Sequence, residues 1–117
     1  MNSMAEGYKN YAEITKNITK YTGELRKIVP DAIKGFSSLG KGATQDGALS
    51  EKTKELIALA IGVAKQCDGC IGFHTQSAKK LGATREEVAE TLATAVYMGG
   101  GPALMYAADA LMAYDQA

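Results

Sequence analysis

Apolar positions recur at alternating steps of three and four along most of the chain, and strand-like alternation never persists beyond a few residues, so the pattern predicts an all-α fold. The first segment is the plainest: Tyr11, Ile14, Ile18, Tyr21, Leu25 and Ile28 fall on one seam of one helix. Gly23 weakens that helix by about 1 kcal/mol without ending it. Pro30 ends it, because its ring drives Val29 out of the α region, and it then suits the first turn of a short second helix through Leu39. Gly40 to Ala48, rich in Gly, Thr, Gln and Asp, reads as a loop. Ser50 is a good N-cap for a helix through Lys65, with Glu51 near the positive end of its dipole. Leu56, Ile57, Leu59, Ala60, Ile61 and Val63 make that helix apolar nearly all round, which predicts a central position or a subunit interface. A further helix starts at the cysteines and stops near Gly82, and Thr84-x-x-Glu87 is a capping box opening the next, whose buried stripe is Val88, Leu92, Ala95 and Val96. Gly99, Gly100 and Gly101 break the chain, and Pro102 opens an Ala-rich last helix. The expectation is about six helices in a single compact domain over residues 1–117.

With 117 residues the chain can bury roughly two thirds of its unfolded surface and needs no structural cystine. Thirteen basic side chains balance thirteen acidic ones, and the pI is near 6.6. Such a surface has no basic field for nucleic acid and no polycationic face for anionic lipid. The longest apolar run, Leu56 to Ala64, is half of what a bilayer span needs, and the N-terminal MNSMAEGYKNY lacks the apolar stretch of a signal peptide. These features predict a cytoplasmic protein with neither nucleic-acid nor membrane partners. The apolar faces of the first and central helices exceed what so small a domain buries alone, which predicts a homo-oligomer. Gly35 to Gly42 nearly matches a phosphate-binding loop, but Gly42 replaces the hydroxyl that would hold magnesium and no strand precedes it, so a nucleotide site is not expected there.

The two cysteines stand close together, in Cys67-Asp68-Gly69-Cys70. In a reducing compartment such a pair is redox-active or metal-binding more often than structural. On one helix, Cys67, Cys70 and His74 fall at i, i+3 and i+7, so the three side chains project from one face. A step of three separates α-carbons by about 5 Å, within the range a disulfide tolerates, so the pair can open and close without unfolding the helix. Unpaired N–H groups at the first turn favour a thiolate, and His74 can exchange its proton. A thiol brought from about 8.5 to about 7 gains roughly fifteenfold in thiolate at neutral pH. A thioredoxin domain would need a βαβ pattern, and covalent haem attachment would need histidine where Ile71 stands. Four-ligand structural zinc is undersupplied by three Cys and His residues.

The stretch from Glu55 through Cys67-Asp-Gly-Cys70 to His74 resembles the core of the carboxymuconolactone decarboxylase-like superfamily, in its alkyl hydroperoxidase D branch. The likeness is good from about Leu49 to Gly101 and looser in the flanking helices. It rests on a glutamate twelve residues before the CxxC and a histidine four after it. The resemblance implies an all-helical fold assembling into trimers or hexamers, and a thiol-dependent reduction of peroxides or small disulfides that requires no cofactor. It implies that Cys70 attacks the substrate, Cys67 resolves the product, His74 transfers protons, and Glu55 belongs to the same relay. A lipoyl-type or thioredoxin-type dithiol protein would then be the electron donor. One position departs from the branch: Gly69 stands where its well-characterised hydroperoxidases carry a further histidine, which bears on peroxide reduction more than on dithiol chemistry. The branch that decarboxylates carboxymuconolactone lacks the cysteine pair, which argues against a lyase. The rival readings are a zinc-binding protein using Cys67, Cys70 and His74, with Glu55 or water as fourth ligand, and a family member retained as a scaffold. Met98, Met105 and Met112 are expected to fill core gaps, the tyrosines to serve packing or interfaces, and nothing requires Tyr97 at the site.

Overall fold

The computed structural model describes residues 8–117, so the reading of the chain start as lacking a leader lies largely outside the described residues. Six helices follow in order: α1 (Tyr11–Ile28), α2 (Pro30–Ala43), α3 (Glu51–Ala64), α4 (Asp68–Lys80), α5 (Arg85–Gly99) and α6 (Gly101–Gln116), with no strand among the described residues. The local signals that set these boundaries are the expected ones. Ser50 accepts a hydrogen bond from the Thr53 N–H, Thr84 and Glu87 form a reciprocal capping box, and Pro30 and Pro102 each sit in a first turn.

The second helix runs four residues past Leu39, through Gly40, Lys41, Gly42 and Ala43. Two glycines weaken a helix by about 1 kcal/mol each without forbidding it. Thr44 closes the extra turn, its N–H and hydroxyl both donating to the Gly40 carbonyl at 3.1 and 2.9 Å. The loop therefore begins only at Thr44, and the near-match to a phosphate-binding loop is helix throughout, with no free backbone cradle.

Helix α3 is central, packed against α4, α5 and α6, and α1 lies across α4 and α6. The core gathers Leu59 and Val63 of α3, Ile71 and Ala78 of α4, Val88, Leu92 and Ala95 of α5, and the alanines of α6, with Tyr11 buried at the start of α1. Small residues let α6 approach closely. Even so, Ile57 and Ile61 of α3 remain exposed. The seam of α1 is covered over only part of its length: Tyr11 is buried and Ile14 and Ile18 are half-buried, but Tyr21, Leu25 and Ile28 are exposed. Helix α2 touches the other helices only through α1 and buries none of its side chains, so Phe36 is 74% exposed and Leu39 67%. Met98 and Met105 are exposed as well and do not fill this core, in contrast to the expectation for the methionine stripe. No helix among the described residues is long and apolar enough to cross a membrane.

Candidate active site

The turn from α3 to α4 places the cysteines. Gln66 adopts a left-handed backbone, φ 58°, at the position after a helix end where glycine is the common choice. Its N–H donates to the Val63 carbonyl at 3.1 Å, and the Cys67 N–H donates to the Gly62 carbonyl at 3.0 Å. That pair of bonds closes α3 and delivers Cys67 as the N-cap of α4, one residue outside the helix on which the spacing had placed it. The Cys67 sulfur accepts from the Cys70 N–H at 3.1 Å. Cys67 and Cys70 are joined as a disulfide with α-carbons 5.3 Å apart, close to the separation that a step of three supplies.

Two glycines decide what surrounds this pair. A β-carbon at Gly62 would stand 2.8 Å from the Cys70 β-carbon, so only glycine lets α3 pass this close to the sulfur-bearing turn. A β-carbon at Gly69 would stand 2.6 Å from the tip of Ile18, which shows that α1 has closed over the middle of the CxxC.

His74 follows one turn after Cys70, and its Nδ1–H donates to Oε1 of Glu55 at 2.7 Å. The Glu55 side chain is 8% exposed and His74 is 32% exposed, so a buried carboxylate on α3 orients a ring that still reaches solvent. With Nδ1 committed, Nε2 is the nitrogen left to exchange a proton. Thus the four residues singled out from sequence lie on two adjoining elements, as a sulfur pair at the head of α4 and a Glu–His pair one turn further along. The hydrogen bonds of the described residues tie His74 to Glu55 and not to either sulfur. Among the described residues no group of three or more His, Cys, Asp or Glu side chains is placed to hold a metal ion. Tyr97 is exposed at the end of α5.

A second polar cluster adjoins the motif and was not foreseen. Asp68, inside the CxxC, accepts from the Lys9 ammonium on both oxygens, at 2.9 and 3.1 Å, and from the Tyr11 hydroxyl at 2.8 Å. Lys9 also donates to Asp109 of α6 at 2.9 Å, and Tyr8 donates to the same carboxylate. Burial alone would lower the Lys9 pKa, but the hydrogen bonds it donates to Asp109 and Asp68 outweigh that and hold the ammonium firmly charged. Burial and the Asp68 carboxylate push the Tyr11 phenol well above its ordinary range, so it stays a donor. Gln116 completes the clasp, accepting from the Tyr11 N–H and donating to the Lys9 carbonyl.

Comparison with known proteins finds relatives of this chain. The carboxymuconolactone decarboxylase family profile matches residues 30–113. The crystal structure of apo-lpg0406, a carboxymuconolactone decarboxylase family protein from Legionella pneumophila, superposes with a TM-score of 0.88 at 61% identity, covering 91% of this chain and 95% of that one. An uncharacterised protein of Cupriavidus necator is 48% identical over 84% of this chain and 87% of its own length. Uncharacterised protein 4 in the cox locus of Paracoccus denitrificans is 36% identical over 80% of this chain and 85% of its own length. Six helices, a central α3 and a profile match running from α2 into α6 lead to one assignment: the chain belongs to the carboxymuconolactone decarboxylase family.

Proposed function

We propose that the chain is a thiol-dependent oxidoreductase of the alkyl hydroperoxidase D type, reducing a peroxide or small disulfide through Cys67 and Cys70. The observation that carries this reading is the disulfide at the head of α4 with His74 one turn on, held by the buried carboxylate of Glu55. In the cycle, the Cys70 thiolate attacks a peroxide oxygen, the O–O bond breaks, and the departing alkoxide takes a proton relayed through His74, leaving a sulfenic acid on Cys70. Cys67 then attacks the Cys70 sulfur, the hydroxyl leaves as water, and the disulfide forms. With a small disulfide as substrate, Cys70 forms a mixed disulfide, one thiolate leaves, and Cys67 expels the other. A lipoyl-type or thioredoxin-type dithiol restores both thiols and is itself oxidised to its disulfide. The cytoplasm supplies such donors.

Gly69 bears on which oxidant is served. A β-carbon at Gly69 would meet the tip of Ile18, and with glycine at this position the proposed relay consists of His74 and Glu55. Small disulfides, whose leaving thiolates need less protonation than an alkoxide does, suit such a site better than slow-leaving peroxides.

The test is a thiol count with and without stoichiometric oxidant, alongside metal analysis of protein purified without chelator. Loss of both thiols together, with no tightly bound zinc, is the expected result. One equivalent of zinc protecting both thiols would establish the metal-binding reading in its place.

The working form in this proposal is a homo-oligomer, a trimer or hexamer. Support comes from the uncovered half of α1 and from α2, where Ile28, Phe36 and Leu39 face solvent in a single copy. Side chains of this size each gain about 1.5–3 kcal/mol on full burial, so a second copy is a strongly favoured cover. Sedimentation at micromolar concentration is expected to give a multiple of 12.3 kDa, and a stable monomer would refute it.

A further inference from the structure

The cluster around Lys9 has no part in the proposed cycle, yet it grips a residue of the redox motif itself. Asp68 lies in the first turn of α4, where a carboxylate favours the helix. The same carboxylate is a neighbour of Cys67 in sequence, and a negative charge there opposes formation of a thiolate. Lys9 engages both oxygens of Asp68 and is anchored from behind by Asp109, whose side chain is 7% exposed. Tyr11, fully buried, donates to Asp68 from beneath. The arrangement eases a conflict: the helix keeps its favourable N-terminal carboxylate, and that carboxylate is paired with an ammonium.

We infer that Lys9 is a positioning residue for the Cys67–Cys70 pair, its ammonium neutralising the carboxylate inside the CxxC and so setting the balance between dithiol and disulfide. This rests on the dithiol reading of the site. The charged and titratable groups around the motif are Lys9 and Tyr8 before α1, Tyr11 on α1, Glu55 on α3, Asp68 and His74 on α4, and Asp109 on α6. Of these, Lys9 is the cation that bonds directly to a residue between the cysteines. Removing it leaves Asp68 and Asp109 uncompensated, which destabilises the thiolate, and therefore the reduced form, relative to the disulfide. Removing the Asp68 carboxylate does the opposite.

A merely structural clasp behaves differently. Lys9→Met and Asp68→Asn break the same ion pair, so both lower the thermal midpoint, but only an electrostatic role gives them opposite effects on the thiol–disulfide equilibrium. The full-length chain is equilibrated in glutathione buffers of graded ratio, thiols are trapped by alkylation, and the oxidised fraction is read by intact mass. The pH midpoint of alkylation is recorded alongside. With the buffers held at about pH 9, above the thiol pKa, Lys9→Met is expected to shift the equilibrium toward the disulfide by about threefold to tenfold, the upper figure corresponding to about 30 mV. Asp68→Asn is expected to shift it by a similar factor toward the dithiol, the double variant to return close to wild type, and Lys9→Arg to preserve it. If Lys9→Met does not fold, the sign of the Asp68→Asn shift decides. A wild-type pair that exchanges with glutathione while these variants shift together, or not at all, overturns the inference alone. A wild-type pair that does not exchange overturns the dithiol reading and the inference with it.

Discussion

Replacing Cys70 by serine is expected to abolish reaction with both peroxide and small disulfide, whereas replacing Cys67 is expected to leave one turnover and then a stop. His74 lies one helical turn beyond Cys70. In the proposed cycle Cys70, the sulfur nearer to His74 along α4, is the attacking thiol, and Cys67, capping the helix from outside, is the one a donor protein would reach. In Cys67→Ser, the product of one peroxide equivalent is a sulfenic acid on Cys70, because no second thiol can displace the hydroxyl. In Cys70→Ser, peroxide leaves the protein unchanged, while Cys67 can still form a mixed disulfide with a donor. Mass spectrometry of the two variants after one equivalent of peroxide separates these outcomes. Sulfenic acid on Cys67, in Cys70→Ser, would reverse the roles.

The second large effect concerns the pair behind the cysteines. His74→Ala is expected to slow the single-turnover reaction by about 100-fold or more, the usual scale for loss of a positioned acid–base group. Glu55→Gln is expected to cost about tenfold to 100-fold, since an amide oxygen still accepts from Nδ1–H but no longer stabilises the protonated ring. Glu55→Ala is the poorer probe, because it leaves a ring N–H without its partner at a cost of about 1–3 kcal/mol in stability. Rates of reduced protein with peroxide or a small disulfide, measured by stopped flow across pH, check both. Wild-type rates in His74→Ala and Glu55→Gln would remove the pair from the mechanism and leave a bare dithiol.

What the sequence disclosed and what it withheld follow from how local each signal is. Caps and breaks depend on a few neighbouring residues, so Ser50, Thr84 with Glu87, Pro30 and the glycines at 99–101 marked their boundaries correctly. Gly40 and Gly42 misled because a glycine's cost is modest, and Thr44 met the end of an extra helical turn that no composition rule anticipates. Periodicity revealed the apolar seam of α1 but not its cover, which is why Tyr11 is buried and Ile28 is not. At the site, the step of three in Cys67-x-x-Cys70 is itself a geometric statement, and the disulfide fits it. Glu55 stands nineteen residues from His74 on another helix, and only the family resemblance joined them. Lys9 and Asp109 are a hundred residues apart in sequence, so nothing short of the fold could bring them to Asp68.

In the proposed function, Cys67 and Cys70 cycle between dithiol and disulfide. The most direct measurement is the intact mass of the fully reduced chain before and after one equivalent of a hydroperoxide or small disulfide, with alkylation of the remaining thiols. Loss of both thiol hydrogens together is expected, with no added oxygen or adduct in the wild type and full recovery of both thiols with a dihydrolipoyl or thioredoxin-type dithiol. An unchanged mass with both thiols still open to alkylation would contradict it.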